Sequence, residues 1–436
     1  MEKGRTMKAQ LWVGISLLIF VLGTTPVHTV RADGRSNESK DVTRVFWQRT
    51  FTGSDPIARE VRGLRRIKVL PDGGLVGVGW WERGTYGVRR DSVIWIIRLD
   101  AGGNLLWDKT FDGDGQEVGR AVAVLPGGDI VLAGHWYPKT SPAEANRVDT
   151  LLVRLDMTGR VVWQKTLIGR RYKHVEDMTV STDGSIFLAG SRSSEDGGPS
   201  QFWVLRLTPD GEVVWDRIYM AGTGHGRAMT VSATADGHVL ATGPADLDEG
   251  KDGYSALLMD GQGNPFSNRV LSPERWPSGV IVFPKGGYVV VNNKTDLQHK
   301  TSEANIHFER LDENGVRIWK RSFPFRDESN DDRRAHISID GYAVMPDGSV
   351  VVGWGQPLKE GNLWRQISLL RLDAKGRRIW HHRIPVSLSA DESAGETLWD
   401  MALLPDGRIA LTGQTWYEVR QNSWRHDVWV RVIPNP

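Results

Sequence analysis

The chain has 436 residues, 55 of them Lys or Arg and 53 Asp or Glu, and it contains no cysteine. The missing cysteines exclude disulfides, cysteine-ligated zinc, c-type haem attachment and a lipid-modified cysteine. The charge is nearly balanced and its small excess gathers at the N-terminus, so no basic domain is present to attract a nucleic acid.

Taken in chain order, residues 1–32 have a basic start, an apolar run from Leu11 to Gly23, and Val30-x-Ala32 as a small-residue cleavage site. This is the pattern of a secretory signal peptide cut after Ala32. The run is shorter than the roughly 20 residues a membrane-spanning helix needs; an uncleaved N-terminal anchor is the alternative reading. Residues 1–32 hold Lys3, Arg5, Lys8 and Arg31 against Glu2 alone, leaving 51 basic and 52 acidic residues in the mature chain. A secreted or periplasmic location follows as an expectation, with residues 33–42 a flexible N-terminal segment and 43–436 a single domain.

That domain is one phrase repeated. RLDAGGNLLWDKT at 98–110 returns as RLDMTGRVVWQKT at 154–166, RLTPDGEVVWDRI at 206–218, RLDENGVRIWKRS at 310–322 and RLDAKGRRIWHHR at 371–383. The tryptophan column is Trp47, Trp107, Trp163, Trp215, Trp319 and Trp380, with Ser267 as a degenerate copy between Trp215 and Trp319. Seven copies spaced 52 to 61 residues apart indicate a propeller, solenoid or array. A second column of turn dipeptides, such as Asp72-Gly73, Asp183-Gly184 and Asp406-Gly407, is flanked by short β-branched runs and reads as two-residue hairpins. A further glycine follows six residues later at Gly79, Gly134, Gly190, Gly243 and Gly413.

Each unit therefore reads as four strands, A to D, with tight A–B and C–D turns and longer B–C and D–A loops. Seven such sheets form an all-β, seven-bladed β-propeller of four-stranded antiparallel blades, because one four-stranded sheet cannot bury both faces alone. The last unit stops at WVRVIPNP without a D strand, while RVFWQRTF at 44–51 is a D strand with no unit before it. The N-terminal strand, residues 43–51, is expected to complete the last blade and close the ring. The column tryptophans are then structural plates between blades.

Function is expected on the long-loop face. Eight residues before each A–B turn glycine stand Arg65, Arg120, Glu176, Met229, Gly279, Asp340 and Trp399, with Arg66, Asp177 and Asp400 one place later. They form a mixed-charge ring at the channel entry, able to bind a polar ligand or to pair with itself. Aromatics open several B–C loops, namely Trp80, Trp81, Trp136, Tyr137, Trp354, Trp416 and Tyr417, with Trp276, Trp364 and Trp424 in other loops of that face. Flat rings there suit protein or sugar contacts, or they cap the seams between blades. The histidines show no ligand spacing and read as surface residues, and no metal site is expected. The charge run at 327–334 reads as a solvated loop.

The phrase LDAGGNLLWDKT resembles the tryptophan-docking repeat of the PQQ-type propellers, in which Asp-x-x-Gly is followed by a Trp four residues after the Gly. The resemblance spans about 390 residues as a repeat pattern, counting from Trp47 to the C-terminus. That group includes quinoprotein dehydrogenases and a non-catalytic propeller lipoprotein of outer-membrane assembly. Its members usually have eight blades, and the dehydrogenases stack their quinone on a disulfide of adjacent cysteines. Seven units and no cysteine make the binding members the better analogy, so no cofactor is expected.

The leading expectation is an exported, non-catalytic interaction module, monomeric, that binds a protein or an extended glycan through its long-loop face. The alternative is an enzyme acting on a glycan or small substrate with the axial carboxylates Glu176, Asp177, Asp340 and Asp400. A PQQ-dependent quinoprotein ranks third.

Overall fold

A computed structural model describes residues 45–51, 61–83, 91–113, 115–138, 147–168, 173–193, 198–234, 236–247, 252–272, 279–283, 286–295, 303–313, 315–326, 339–356, 366–384, 395–420 and 423–435. The signal-peptide pattern, the 327–334 charge run, Trp276 and Trp364 lie outside the described residues, as do the side chains of Tyr417 and Trp424.

Among the described residues, seven four-stranded antiparallel sheets make a seven-bladed propeller. Blade 1 runs A to D as Val61–Val69, Leu75–Arg83, Asp91–Leu99 and Leu105–Phe111, and the next five blades repeat that order. The seventh holds Gly395–Leu403, Ile409–Arg420 and Ser423–Ile433, and its outer strand is the N-terminal Trp47–Phe51. Ring closure is thus by the first strand, with Trp47 opposite Val432 and Phe51 opposite Val428. A buried Arg431–Glu396 pair reinforces it, and Arg431 Nε donates to Gln48 Oε1 at 2.7 Å.

The core is divided by the blades. One apolar cluster fills each seam: Phe51, Leu64 and Val430 between blades 7 and 1, Val78, Ile94 and Leu132 between 1 and 2, and so on around the ring. Every inner sheet therefore buries both faces, against a different neighbour on each side. That is why the B and C strands are near-continuous apolar runs, while the D strands alternate exposed and half-buried residues as in Leu105–Phe111.

The turns differ in detail from the sequence expectation. Leu70 N donates to Gly74 O while Gly73 N donates to Leu70 O, with Gly73 at φ 78°. This is a turn followed by a left-handed glycine bulge, a three-residue loop rather than a two-residue one. The same pattern closes the C–D turns, where Asp100 N donates to Asn104 O and Gly103 N to Asp100 O.

The tryptophan column straps each blade to the next. Trp47 Nε1 donates to Ala101 O (3.3 Å), Trp107 to Met157 O (3.2 Å), Trp163 to Pro209 O (3.1 Å), Trp215 to Gly261 O (3.2 Å) and Trp319 to Ala374 O (2.9 Å). Each indole lies over the left-handed glycine of that C–D turn, so closely that a Cβ on Gly103, Gly159 or Gly376 would fall within 3 Å of the ring. A second strap runs beside it: Arg154 joins Asp129 of its own blade (2.8 Å) to Pro209 O of the next (3.0 Å), and Arg206 likewise joins Asp183 to Gly261 O. Two seams depart from the pattern. Opposite Gly315 the place of the missing indole is taken by the Arg269 side chain. Trp380 faces blade 7, which has no C–D hairpin, and its Nε1 is buried without a hydrogen-bond partner.

Removing residues 45–51 is expected to abolish cooperative unfolding in calorimetry, because it leaves the Ser423–Ile433 edge unpaired and Arg431 short of Gln48. Trp107→Ala should leave a folded ring with stability lower by about 3 kcal/mol, the low end for buried Trp truncation. A truncated chain that melts like the intact one would contradict the closure.

Candidate functional site

The inner strands bulge at one level. Register shifts between Leu64 and Arg66, Gly119 and Ala121, Val175 and Asp177, and Leu398 and Asp400 leave Arg65, Arg120, Glu176 and Trp399 as the extra residues. A bulge re-aims a side chain that would otherwise alternate into a seam. The facing glycine column is what admits the bulge: a Cβ on Gly79, Gly190 or Gly243 would lie 1.7 to 1.8 Å from the carbonyl oxygen of Gly63, His174 or Arg227. Those glycines were visible in the sequence, but their reason was not.

The bulges converge on one buried carboxylate. Glu176 is 3% exposed and faces Arg227 at 3.5 Å and Arg65 and Arg120 at 3.8 Å each, so blades 1, 2 and 4 all point a guanidinium at blade 3. Burial, and after it the neighbouring Arg120 cation, bring Arg65 down to about 10 despite Glu176. Arg227 was not among the sequence candidates. Blade 4 enters its A strand irregularly, through the bridge of Gly226 with Ala245 and the bond from Arg227 N to Pro244 O, so a fixed offset from the turn picks Met229 instead.

Asp177 and Asp400 do a different job, and they do the same job twice. Asp177 Oδ2 accepts from Val231 N of the next blade at 3.0 Å, and Asp400 Oδ2 accepts from Ile67 N across the ring closure at 2.9 Å. Arg66 lies between them: burial opposes its charge, yet Asp400 and then Asp177 hold it above the ordinary guanidinium value. Burial raises Asp177 above the usual carboxylate range even so. Asp340 is placed apart and accepts from Gly355 N at 3.0 Å. These residues line an axial cavity of about 360 Å³, together with Arg227, Lys68, Tyr254 and Tyr342. Burial pushes the Tyr254 phenol up to about 12.

The aromatics separate into two kinds. Trp354 is 2% exposed, belongs to the core between blades 5 and 6 and stacks on His381 at 5.7 Å; it is a core residue, not a ligand-facing ring. Trp136 and Trp416 are half-buried and pack over Gly115 and Gly395 as caps. Trp81 carries the Arg62 guanidinium 4.0 Å above its ring. Trp80 and Trp399 are half-buried and meet face to face at 4.9 Å, tilted by 31°, both closing over Gly63.

Behind the arginines lies a pair of histidines that the sequence reading assigned to the surface. His135 is fully buried; its Nε2 bonds Val175 O at 2.8 Å and its Nδ1 accepts from Arg120 Nε at 3.2 Å, which fixes the neutral Nε2–H tautomer. His174 sits edge-on to it at 4.7 Å. Burial, then Arg120, holds His135 well below the ordinary imidazole range, and burial also lowers His174. By its place in the sequence His135 starts a B–C loop, but it lies within the strand Ile130–Pro138.

Comparison with models of known protein families gives no match, and neither does comparison with curated proteins. Solved structures similar in fold include a protein of unknown function from Dyadobacter fermentans (14% identity, 87% of this chain and 100% of that one, TM-score 0.41). The C-terminal WD40 domain of Sif2 is another (9%, 87% and 99%, TM-score 0.43), as is the Hadza microbial sialidase Hz136 (11%, 86% and 65%, TM-score 0.43). A fold alone does not fix a function, which has to be argued from the site.

Gly190→Ala should lower stability by about 3 kcal/mol, the top of the overpacking range, because its Cβ meets backbone. Gly237→Ala, in open space at φ 84°, should lose only about 1 kcal/mol from left-handed strain. Denaturant titration of both variants checks this. The histidines set an acid response: with folded values below the unfolded one of about 6.5, the unfolded chain takes up protons first, and stability falls as pH drops through that value. A second decline should follow below about pH 4, where Asp183, Asp347 and Asp406, held low by side-chain and backbone hydrogen bonds in their turns, protonate. Melting midpoints from pH 8 to 3 should show both steps, with the first one shallower in His135→Gln.

Proposed function

We propose that this protein is an exported, non-catalytic propeller that holds a protein or an extended glycan on its loop face. The observation that carries the reading is the engagement of the axial carboxylates. Asp177 and Asp400 are spent as inter-blade latches, Asp340 accepts a backbone N–H, and Glu176 sits among three guanidiniums. Acid and base catalysis on a glycan requires one carboxyl group to give a proton while a second, at a set separation, attacks or activates water. Carboxylates fixed as hydrogen-bond acceptors within the scaffold are poorly placed for either part.

The rest is consistent with a binder. Half-buried indoles at Trp80 and Trp399 offer ring area whose order is already imposed by packing, so a ligand stacking there loses little further entropy. The resemblance to the binding members of the PQQ-type group supports the same class. The leader pattern in residues 1–32 supports export, with the mature chain in the periplasm or outside the cell.

The test is to immobilise the purified protein, expose it to cell-envelope extract and to a glycan panel, and follow both retention and turnover. Retention of a ligand that elutes chemically unchanged is the expected result. Release of new reducing ends, or of any cleaved product, would replace the binder with an enzyme.

A further inference from the structure

The charge at the channel entry does not balance. Three guanidiniums, from Arg65, Arg120 and Arg227, face one carboxylate, that of Glu176, and none approaches closer than 3.5 Å. Those distances exceed hydrogen-bond range, so the Arg65 and Arg227 pairs leave directed donors unused, while Arg120 also gives its Nε to His135. Arg65 Nε is buried without a hydrogen-bond partner, while its side chain keeps 32% exposure and that of Arg227 keeps 43%. Donors clustered in excess, enclosed on the scaffold side and open on the other, are what a planar oxyanion requires. The lining of the axial cavity balances, Arg66, Lys68 and Arg227 against Asp177, Asp340 and Asp400; the excess belongs to the rim above it, where Arg65 and Arg120 face Glu176 and Arg227 joins the two.

We infer that Arg65, Arg120 and Arg227 form a carboxylate-binding subsite that seats an acidic sugar of an extended glycan. This deepens the binding reading above and rests on it. Sugar is favoured over acidic peptide by what adjoins the arginines. Gly63, two residues before Arg65, is where the Trp80 and Trp399 indoles meet, and its ideal Cβ would lie 2.6 Å from each. A flat apolar surface set two residues from a guanidinium fork suits a pyranose ring bearing a carboxylate. Glu176 holds the forks in place before the ligand arrives and limits their mutual repulsion. Ligand entry then adds the hydrogen bonds the 3.5 to 3.8 Å pairs lack.

Calorimetric titration of the purified protein with oligogalacturonate, with the fully methyl-esterified oligomer of equal length, and with polyglutamate tests this. Oligogalacturonate should bind at least tenfold more tightly than either of the others and weaken steeply with salt. Arg65→Gln and Arg227→Gln should each lose tenfold or more, with circular dichroism and melting confirming a folded ring. Equal affinity for the ester, or unchanged affinity in both arginine variants, would overturn the subsite while leaving the binding reading intact. Tighter binding of polyglutamate would move the site to acidic peptides and overturn the sugar assignment. Cleavage of oligogalacturonate would overturn the non-catalytic reading yet keep the subsite.

Discussion

The ring depends on an indole laid across a glycine in the next blade. The glycine must be left-handed to turn the C–D hairpin, and lacking a Cβ it leaves a shallow seat that a flat ring fills. The Trp N–H then finds a carbonyl in the same turn, so the seat is polar at one edge and apolar on its face. Everything inward follows from this perimeter. With blades held at a fixed angle, each seam fills with apolar side chains, and the inner strands are brought close enough for their bulges to meet on the axis.

The axis works by different physics. Seams are held by burial, whereas the inner strands are joined by carboxylates that accept the next blade's backbone N–H, as Asp177 and Asp400 do. Such a latch leaves a desolvated charge, and Arg66 answers it from between the two. One level away, the same kind of strand irregularity leaves arginines in surplus around Glu176. The two rings of charge are adjacent in sequence, as Arg65 is to Arg66 and Glu176 to Asp177, yet one is closed upon itself and the other is not.

Much of this was legible in the chain. The tryptophan and glycine columns encode blade number, strand order and closure, because each marks a backbone position with a strict steric demand. The bulge residues were found by counting from the turn, since the bulges lie at a constant offset in blades 1, 2, 3 and 7. Arg227 escaped because blade 4 breaks that offset, and Trp354 was misplaced because it lies within the strand Val350–Gln356 rather than in the loop after it. Distances between blades were not legible at all: nothing in the local sequence of Glu176 announces three arginines brought from 51 to 111 residues away in the chain.

Closure by the first strand also puts a clock on folding. Trp47 pairs with Val432, so the strand made first has to wait for the one made almost last. At the usual 5–20 residues per second of synthesis, the intervening chain takes about 20 to 80 s to appear. For that interval blade 1 has no neighbour on its far side, and Phe51, Leu64 and Trp95 have no seam to enter. A nascent ring of this design needs something to cover that face, or a delay in forming blade 1, until its own end arrives.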